Sequence, residues 1–360
     1  MLVVRGAVKD YDWGITDGLA PWAGEHAGGT QAELWFGVHP GGPSPLVDDD
    51  GDETGEVLAD RFDIAAIPLL VKLLAAARPL SVQVHPDLSV AAAGWLAQQT
   101  PGAPRVLSDP FEKTEMLVAL EPFEAFAGWR DRAQVLSMLA EIPDTQEAVR
   151  LLAADDLGGA IRALLAIGTF ERISLLAAAA RAAGLLPDEV AAYRTVTDFY
   201  PDDPGALVTV LLDYVSLGAG EAIYVPAGVP HSYIRGIGLE VMTSSDNVIR
   251  LGLTHKPVFA EQAIAALRPD LDPQLVRSVH GDILWPVNSP FVVRMLTEGE
   301  ERIPSGAYRI LLLITGTARV VSDVAEITLR LGTAAVLAAD DPDAYVEADG
   351  LVAIIQSTER

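Results

Sequence analysis

The sequence predicts a mainly β protein with an inserted α-helical domain and two jelly-roll β-sandwich units. Three observations point there. From the start to about Arg130, short extended patterns alternate with Gly, Pro and Asp turns. From Asp131 to about Phe199 the segments are rich in Ala and Leu, with apolar residues three and four apart, as packed amphipathic helices require. Beyond "YPDDPGAL" alternation returns for about fifty residues, and the end from about Asp282 again reads as short strands and turns.

In chain order, "AELWFGVHPGGPS" reads as a strand with a loop and "DDDGDETGE" as a solvated acidic loop. The run "IPLLVKLLAAARPL" fits either a helix or a buried strand. In "SVQVHPD" successive side chains alternate faces, so Gln83 and His85 point one way while Val82 and Val84 point the other. Pro86 ends the ladder donors. "FEKTEMLVAL" is a further strand, followed by the helical segments from "DRAQVLSMLAEI" to "PDEVAAYRTVTDFY", whose apolar residues are core. A helical patch at "FAEQAIAAL" precedes the last β block.

At 360 residues the chain exceeds the usual single domain. The expected units are 1–130 with 196–258, a helical insert 131–195, and a C-terminal unit 259–360 that holds no metal, since its "LRLGTAAVLAADDPDAYVEADG" has no histidine after the turn. A net charge of −25 argues against a nucleic-acid partner, because phosphate neutralisation needs basic clusters. No segment reaches the roughly 20 apolar residues that span a bilayer, and "MLVVRGAVKD" lacks a signal-peptide apolar region. A cytoplasmic monomer with no membrane partner is the expectation. Without cysteine, disulfides and thiolate metal sites are excluded. There are four lysines, Lys9, Lys72, Lys113 and Lys256, and three of them fall in or near the motifs below.

The most specific string is "GEAIYVPAGVPH", a Gly-x5-Pro-x-Gly-x2-His pattern through Gly220, Pro226, Gly228 and His231. A glycine starts the strand, a proline ends it, Gly228 permits a tight reversal, and His231 emerges at the head of the next strand. This resembles the second metal motif of the cupin superfamily of jelly-roll barrels. Gln83 and His85 then take the place of that fold's His-x-His, with Glu115 of "FEKTEM" as the carboxylate. One amide oxygen, two imidazoles and one carboxylate suit Zn²⁺, with Mn²⁺, Co²⁺ or Fe²⁺ able to use the same donors.

The strings "YDWG", "AELWFGVHP", "PLLVKLLAAARPLSVQVHPD", "FEAFAGWR" and "VPAGVPHSYIRGIGLEVMTSSDNVIRLGLTHK" together resemble the type I mannose-6-phosphate isomerase family, in order from Tyr11 to Lys256. The resemblance implies a cupin-type catalytic unit, a helical insert, a second jelly roll, and zinc-dependent interconversion of mannose 6-phosphate and fructose 6-phosphate. It implies Gln83, His85, Glu115 and His231 as metal ligands. Arg250, Glu240, Lys113 and Asp246 are implied as catalytic groups, with Glu240 the base and Asp246 in reserve. Trp13, Glu33, Lys72, Ser81, Tyr233 and Lys256 are implied to line the pocket. A dianionic phosphate entering so acidic a protein needs clustered cations, and Lys72, Lys113, Arg250 and Lys256 supply them.

Glu240 lies nine positions after His231, an odd offset that a regular strand would turn away from the metal. A bulge at Gly236 and Gly238 is therefore predicted. Two departures from the family pattern stand out. Glu112 precedes Lys113 where the family has histidine, which leaves open an acid–base role or an altered sugar preference. His255 replaces a common proline and is expected to add to phosphate binding. A non-catalytic, metal-containing sugar-phosphate binder is the alternative from another class.

Overall fold

The strand His231–Thr243 organises the molecule because it belongs to two sheet faces at once. The computed structural model describes residues 1–24, 28–48, 50–62, 67–277 and 283–358. The first part of this strand pairs with Phe123–Trp129 and meets Val82–Val84 where His231 faces Gln83. Its second part runs between Leu69–Ala76 and Glu115–Ala119, with Glu240 opposite Lys72 on one side and Leu117 on the other. Between the parts the register slips: Ala125 faces Tyr233 but Glu124 faces Arg235, so Ile234 is an extra residue. Gly236 follows at φ 134°. A Cβ there would lie 2.8 Å from both the Phe123 Cα and the Pro122 carbonyl oxygen, so the close approach requires glycine.

The predicted bulge therefore exists, centred on Ile234 just ahead of the two glycines. It turns the corner between the sheet faces and inverts the strand's parity. Tyr233 faces the barrel interior before it, while Leu239 and Val241 afterwards face outward into the neighbouring core. Glu240 consequently points the same way as His231 despite the odd offset.

The barrel sheet runs in the order Gln274–Arg277, Glu221–Val225, Glu115–Ala119, His231–Thr243, Leu69–Ala76, Glu33–Phe36, Ala7–Lys9. The opposite face uses Phe123–Trp129, Leu212–Leu217, Val82–Val84 and Ile249–Gly252. "IPLLVKLLAAARPL" contributes the strand Leu69–Ala76, buried throughout. Leu74 and Ala76 fill the barrel, while Leu69, Val71, Leu73 and Ala75 pack outward against the second sheet. A strand covered on both faces has no alternation, which is why its sequence also fits a helix.

The second sheet is ordered Ile283–Leu284, Phe291–Ile303, Ala344–Ser357, Arg309–Leu313, Thr333–Leu337, Leu2–Arg5, Pro45–Val47, Glu53–Val57. Two expectations are corrected here. Sheet membership crosses the sequence boundaries: Leu2–Arg5 pairs with Thr333–Leu337, and Gln274–Arg277 pairs with Glu221–Val225. Val4 completes a core with Ile310 and Val336, so burial of a shared apolar face outweighs proximity in sequence. The C-terminal strands are also not all short, since Phe291–Ile303 and Ala344–Ser357 span 13 and 14 residues and pair along their length.

Six helices lie between Arg132 and Phe199. Asp131 caps the first by accepting from the Ala133 and Gln134 backbone N–H groups, Asp156 caps another, and Pro187 starts the last. Their apolar faces share a core with Val82, Val84, Phe126 and Ile234, so the insert packs on the outer wall of the barrel. Arg130 reinforces that joint, pairing with Glu189 and donating to the Tyr193 hydroxyl at 3.1 Å. No single helix among the described residues is long and apolar enough to cross a membrane.

Candidate active site and metal centre

The donors predicted from the two motifs converge. Gln83 sits mid-strand between the fully buried Val82 and Val84, His85 just beyond the strand end, Glu115 at the head of its strand and His231 at the head of another. One ligand atom each from His85, Glu115 and His231 lies within 4.8 Å of the others, all three residues being buried. His231 Nε2 is 2.7 Å from one Glu115 oxygen and His85 Nε2 is 3.1 Å from the other. The Gln83 amide nitrogen is 3.0 Å from His231 Nε2. The motifs are also tied through the backbone: Gly228, at φ 90°, donates its N–H to the His85 carbonyl at 2.7 Å.

The donor set fits a divalent cation. His85 Nδ1 donates to the Asn247 carbonyl at 2.7 Å, which turns the Nε2 lone pair inward, and that buried nitrogen has no hydrogen-bond partner. Burial and the Lys113 ammonium push the His85 pKa down to about 4, so the imidazole is the neutral, ligating form. Burial by itself would raise the Glu115 pKa, but neighbouring cationic and donor groups, Lys113 and His231 among them, outweigh it and hold the carboxyl well below its ordinary value. Rotating the Gln83 amide by half a turn would bring Oε1 inward and let Nε2 donate to Ser81 Oγ, the atom now 3.2 Å from Oε1. Two imidazoles, a carboxylate and an amide then face one point, a set suited to zinc.

Beside it lies a second buried cluster. Lys72 Nζ is 2.9 Å from Glu240 Oε2 and 3.6 Å from Glu33 Oε1, and it sits 5.2 Å from the Trp35 ring centroid. Trp35 Nε1 donates to Glu33 at 2.8 Å. Burial would lower the Lys72 pKa, yet the Glu240 and Glu33 carboxylates more than reverse it, so the ammonium is held charged. For Glu240 burial dominates and raises the pKa, opposed by Lys72. Tyr233 donates to Glu115 at 3.2 Å and also contacts Glu240; its own pKa is raised by burial and both carboxylates, so it remains a donor.

These groups open into one cavity of about 670 Å³ whose lining includes every predicted pocket residue: Trp13, Glu33, Lys72, Ser81, Lys113, Tyr233, Glu240, Asp246, Arg250 and Lys256. Of the predicted ligands, Gln83 and Glu115 also line it. Lys113 Nζ is 3.4 Å from Glu115. Arg250 lies opposite Gln83 in the adjacent strand. Asp246 stands on a loop fastened by Asn247, whose side chain accepts from the Ser108 N–H at 2.8 Å and donates to the Phe111 carbonyl at 2.7 Å. His255 lines the cavity, its ring 6.5 Å from that of Tyr200, whereas Glu112 lies outside the lining.

Five further residues at or beside the cavity have no role assigned from the sequence. Asn247 and Asp109 lock the loop that carries Asp246, His39 approaches Asp246 at 3.9 Å, and Arg78 pairs with Asp12 on the cavity wall. The polar run "TSSDN" is the one local signal, since Asn and Asp favour such side-chain-locked turns. Arg78 falls within "PLLVKLLAAARPLSVQVHPD", but no spacing there assigns it a role.

The profile described as phosphomannose isomerase type I, catalytic domain, matches residues 1–132. The mannose-6-phosphate isomerase of Escherichia coli K12 is 30% identical, over 96% of this chain and 97% of the relative. Mannose-6-phosphate isomerase 1 of Arabidopsis thaliana is 28% identical, over 94% of this chain and 89% of its own. A mutant of phosphomannose isomerase from Salmonella typhimurium superposes with a TM-score of 0.85 at 28% identity, covering 100% of both chains. A mannose 6-phosphate isomerase solved with zinc and yttrium gives 0.82 at 28% identity, again over 100% of both chains. Matched along nearly its whole length in sequence and in full in structure, the chain belongs to the type I phosphomannose isomerase family.

Proposed function

We propose that this chain is a zinc-dependent aldose–ketose isomerase that interconverts D-mannose 6-phosphate and D-fructose 6-phosphate. The observation that carries the reading is one cavity lined both by Gln83 and Glu115, which stand with His85 and His231 in the donor cluster, and by the buried Lys72–Glu240 pair. Gln83, His85, Glu115 and His231 hold the metal. When bound, zinc supplies a Lewis acid that polarises the sugar's C1 and C2 oxygens.

Glu240 removes the proton from C2 of the open aldose. The electron pair of that C–H bond forms the C1–C2 double bond of the enediol while the C1 oxygen takes a proton. Return of the proton from Glu240 to C1, with loss of the C2 hydroxyl proton, gives the ketose. A base pKa raised by burial suits this exchange near neutrality. Lys72 stays charged and orients Glu240. Arg250 donates to the reacting oxygens, and Lys113 to a neighbouring hydroxyl. Trp13 covers the sugar, Glu33 steadies Lys72, and Ser81 and Lys256 receive the phosphate. Tyr233 acts chiefly by orienting the two carboxylates it contacts. Asp246 is the reserve base. The proposal includes a cytoplasmic monomer without nucleic-acid or membrane partners.

The test is a coupled assay starting from mannose 6-phosphate, run on the purified chain before and after chelation and again after zinc is restored. Turnover that disappears and returns with zinc is expected. A zinc-loaded chain inert toward every hexose phosphate would instead be a binding protein.

A further inference from the structure

We propose that Arg78 recognises the substrate's phosphate, resting on Asp12 in the free enzyme and moving to the dianion when it binds. The inference rests on the sugar-phosphate reading above and adds to it a residue that neither the motifs nor the metal centre indicate. It begins from the charges of the cavity. Lys72 is engaged by Glu240 and Glu33, and Lys113 Nζ lies 3.4 Å from Glu115. Those ammonium groups are neutralised in place and sit beside the proton-transfer end. A phosphate dianion is held where positive charge is exchangeable, which among the lining cations leaves Arg250, Lys256 and Arg78.

Arg78 is built for exchange. The Asp12 side chain it pairs with is 80% exposed, while Arg78 itself is 29% exposed. An ion pair with one arm so far in water is weak, and a dianion accepting two parallel N–H bonds displaces a lone carboxylate from it. The guanidinium carbon lies 5.9 Å from the Phe199 ring centroid, which steadies its plane, and its Nε is buried with no hydrogen-bond partner. That is a donor left for a ligand oxygen.

The wall is continuous with the one that bears Lys256. Tyr200 donates its hydroxyl to the Pro79 carbonyl at 2.9 Å and lays its ring against His255, the residue before Lys256. Ser81, three residues beyond Arg78, lines the same cavity. Arg78 thereby extends the predicted phosphate end rather than forming a separate site.

The experiment uses the zinc-loaded full chain and reads two quantities: KM for mannose 6-phosphate, and inorganic phosphate affinity by calorimetry, which needs no turnover. Arg78→Gln is expected to weaken both by about tenfold with kcat held within about twofold, and Arg78→Lys by about threefold, since a point charge lacks the fork. Asp12→Asn is expected to move both the other way, because Arg78 no longer has a competing carboxylate. If the pair only pins the Tyr11–Trp13 segment, Arg78→Gln and Asp12→Asn raise KM together, which overturns the proposal. Unchanged phosphate affinity in Arg78→Gln overturns it too. Should that variant not fold, Arg78→Lys with wild-type phosphate affinity, or Asp12→Asn without a gain, refutes the proposal equally. A wild-type chain that binds phosphate without isomerising any hexose phosphate fails the functional reading, and the same calorimetry on the variants still decides the role of Arg78. A wild-type chain that binds no phosphate refutes both.

Discussion

Lys72 and Glu240 face each other across adjacent antiparallel strands, with Nζ 2.9 Å from the carboxylate and both side chains buried. Each keeps the other in the form the chemistry needs: the carboxylate holds the ammonium charged, and the ammonium keeps the buried carboxyl ionisable.

Replacing that base tests its role directly. Glu240→Gln should lower kcat by about 10²–10⁴-fold, the range general-base groups supply, while bound zinc stays stoichiometric. Exchange of the substrate's C2 hydrogen with solvent should fall equally. Wild-type exchange in this variant transfers the base role to Asp246.

The pH profile follows from the same pair. Glu240 works when ionised, and burial raises its pKa, so the acid limb of kcat should lie above the ordinary carboxylate range. Lys72 opposes the rise, so Lys72→Met disfavours the ionised form and should move the limb to still higher pH. Movement to lower pH in that variant contradicts the assignment.

Metal affinity should depend on a residue that touches no metal. The Asn247 carbonyl fixes the His85 ring, and the Asn247 side chain anchors its loop to Asp109 and Phe111. Asn247→Ala should weaken zinc binding by about 10–100-fold, the usual effect of disturbing a ligand's support. Competition with a chromophoric chelator measures it, and wild-type affinity would mean the loop is held by other contacts.

The bulge predicts a linked loss. At Gly236 a side chain meets Phe123 and Pro122 at φ 134°, so Gly236→Val should cost about 1–3 kcal/mol in urea unfolding. It should also lower kcat, because Glu240 is aimed from four residues downstream. Full stability with full kcat would show that the corner does not set the direction of Glu240.

Much of the site is legible in the sequence because its signals are local. Gln83 and His85 share a side through strand alternation, and the Gly228 turn delivers His231 to a strand head. Once the resemblance assigns Glu240 to the site, the need for a bulge is also legible from an odd offset and two glycines, although its extra residue is Ile234. Glu112, a candidate acid–base by its place beside Lys113, lies outside the cavity lining because position in a motif does not by itself settle which way a loop residue faces. The pairing of Arg78 with Asp12 is not legible, since it joins two segments that only the fold brings together.

The amino-acid order alone determined which side chains fall on the same face of a strand, because backbone geometry fixes that over two or three residues. Only the folded chain decided which strands meet and in what register: Glu240 beside a lysine 168 positions away, and Leu2–Arg5 in a sheet with Thr333–Leu337. Pairing at that range depends on apolar faces that are complete only when distant segments are buried together, and no local window of sequence contains both halves.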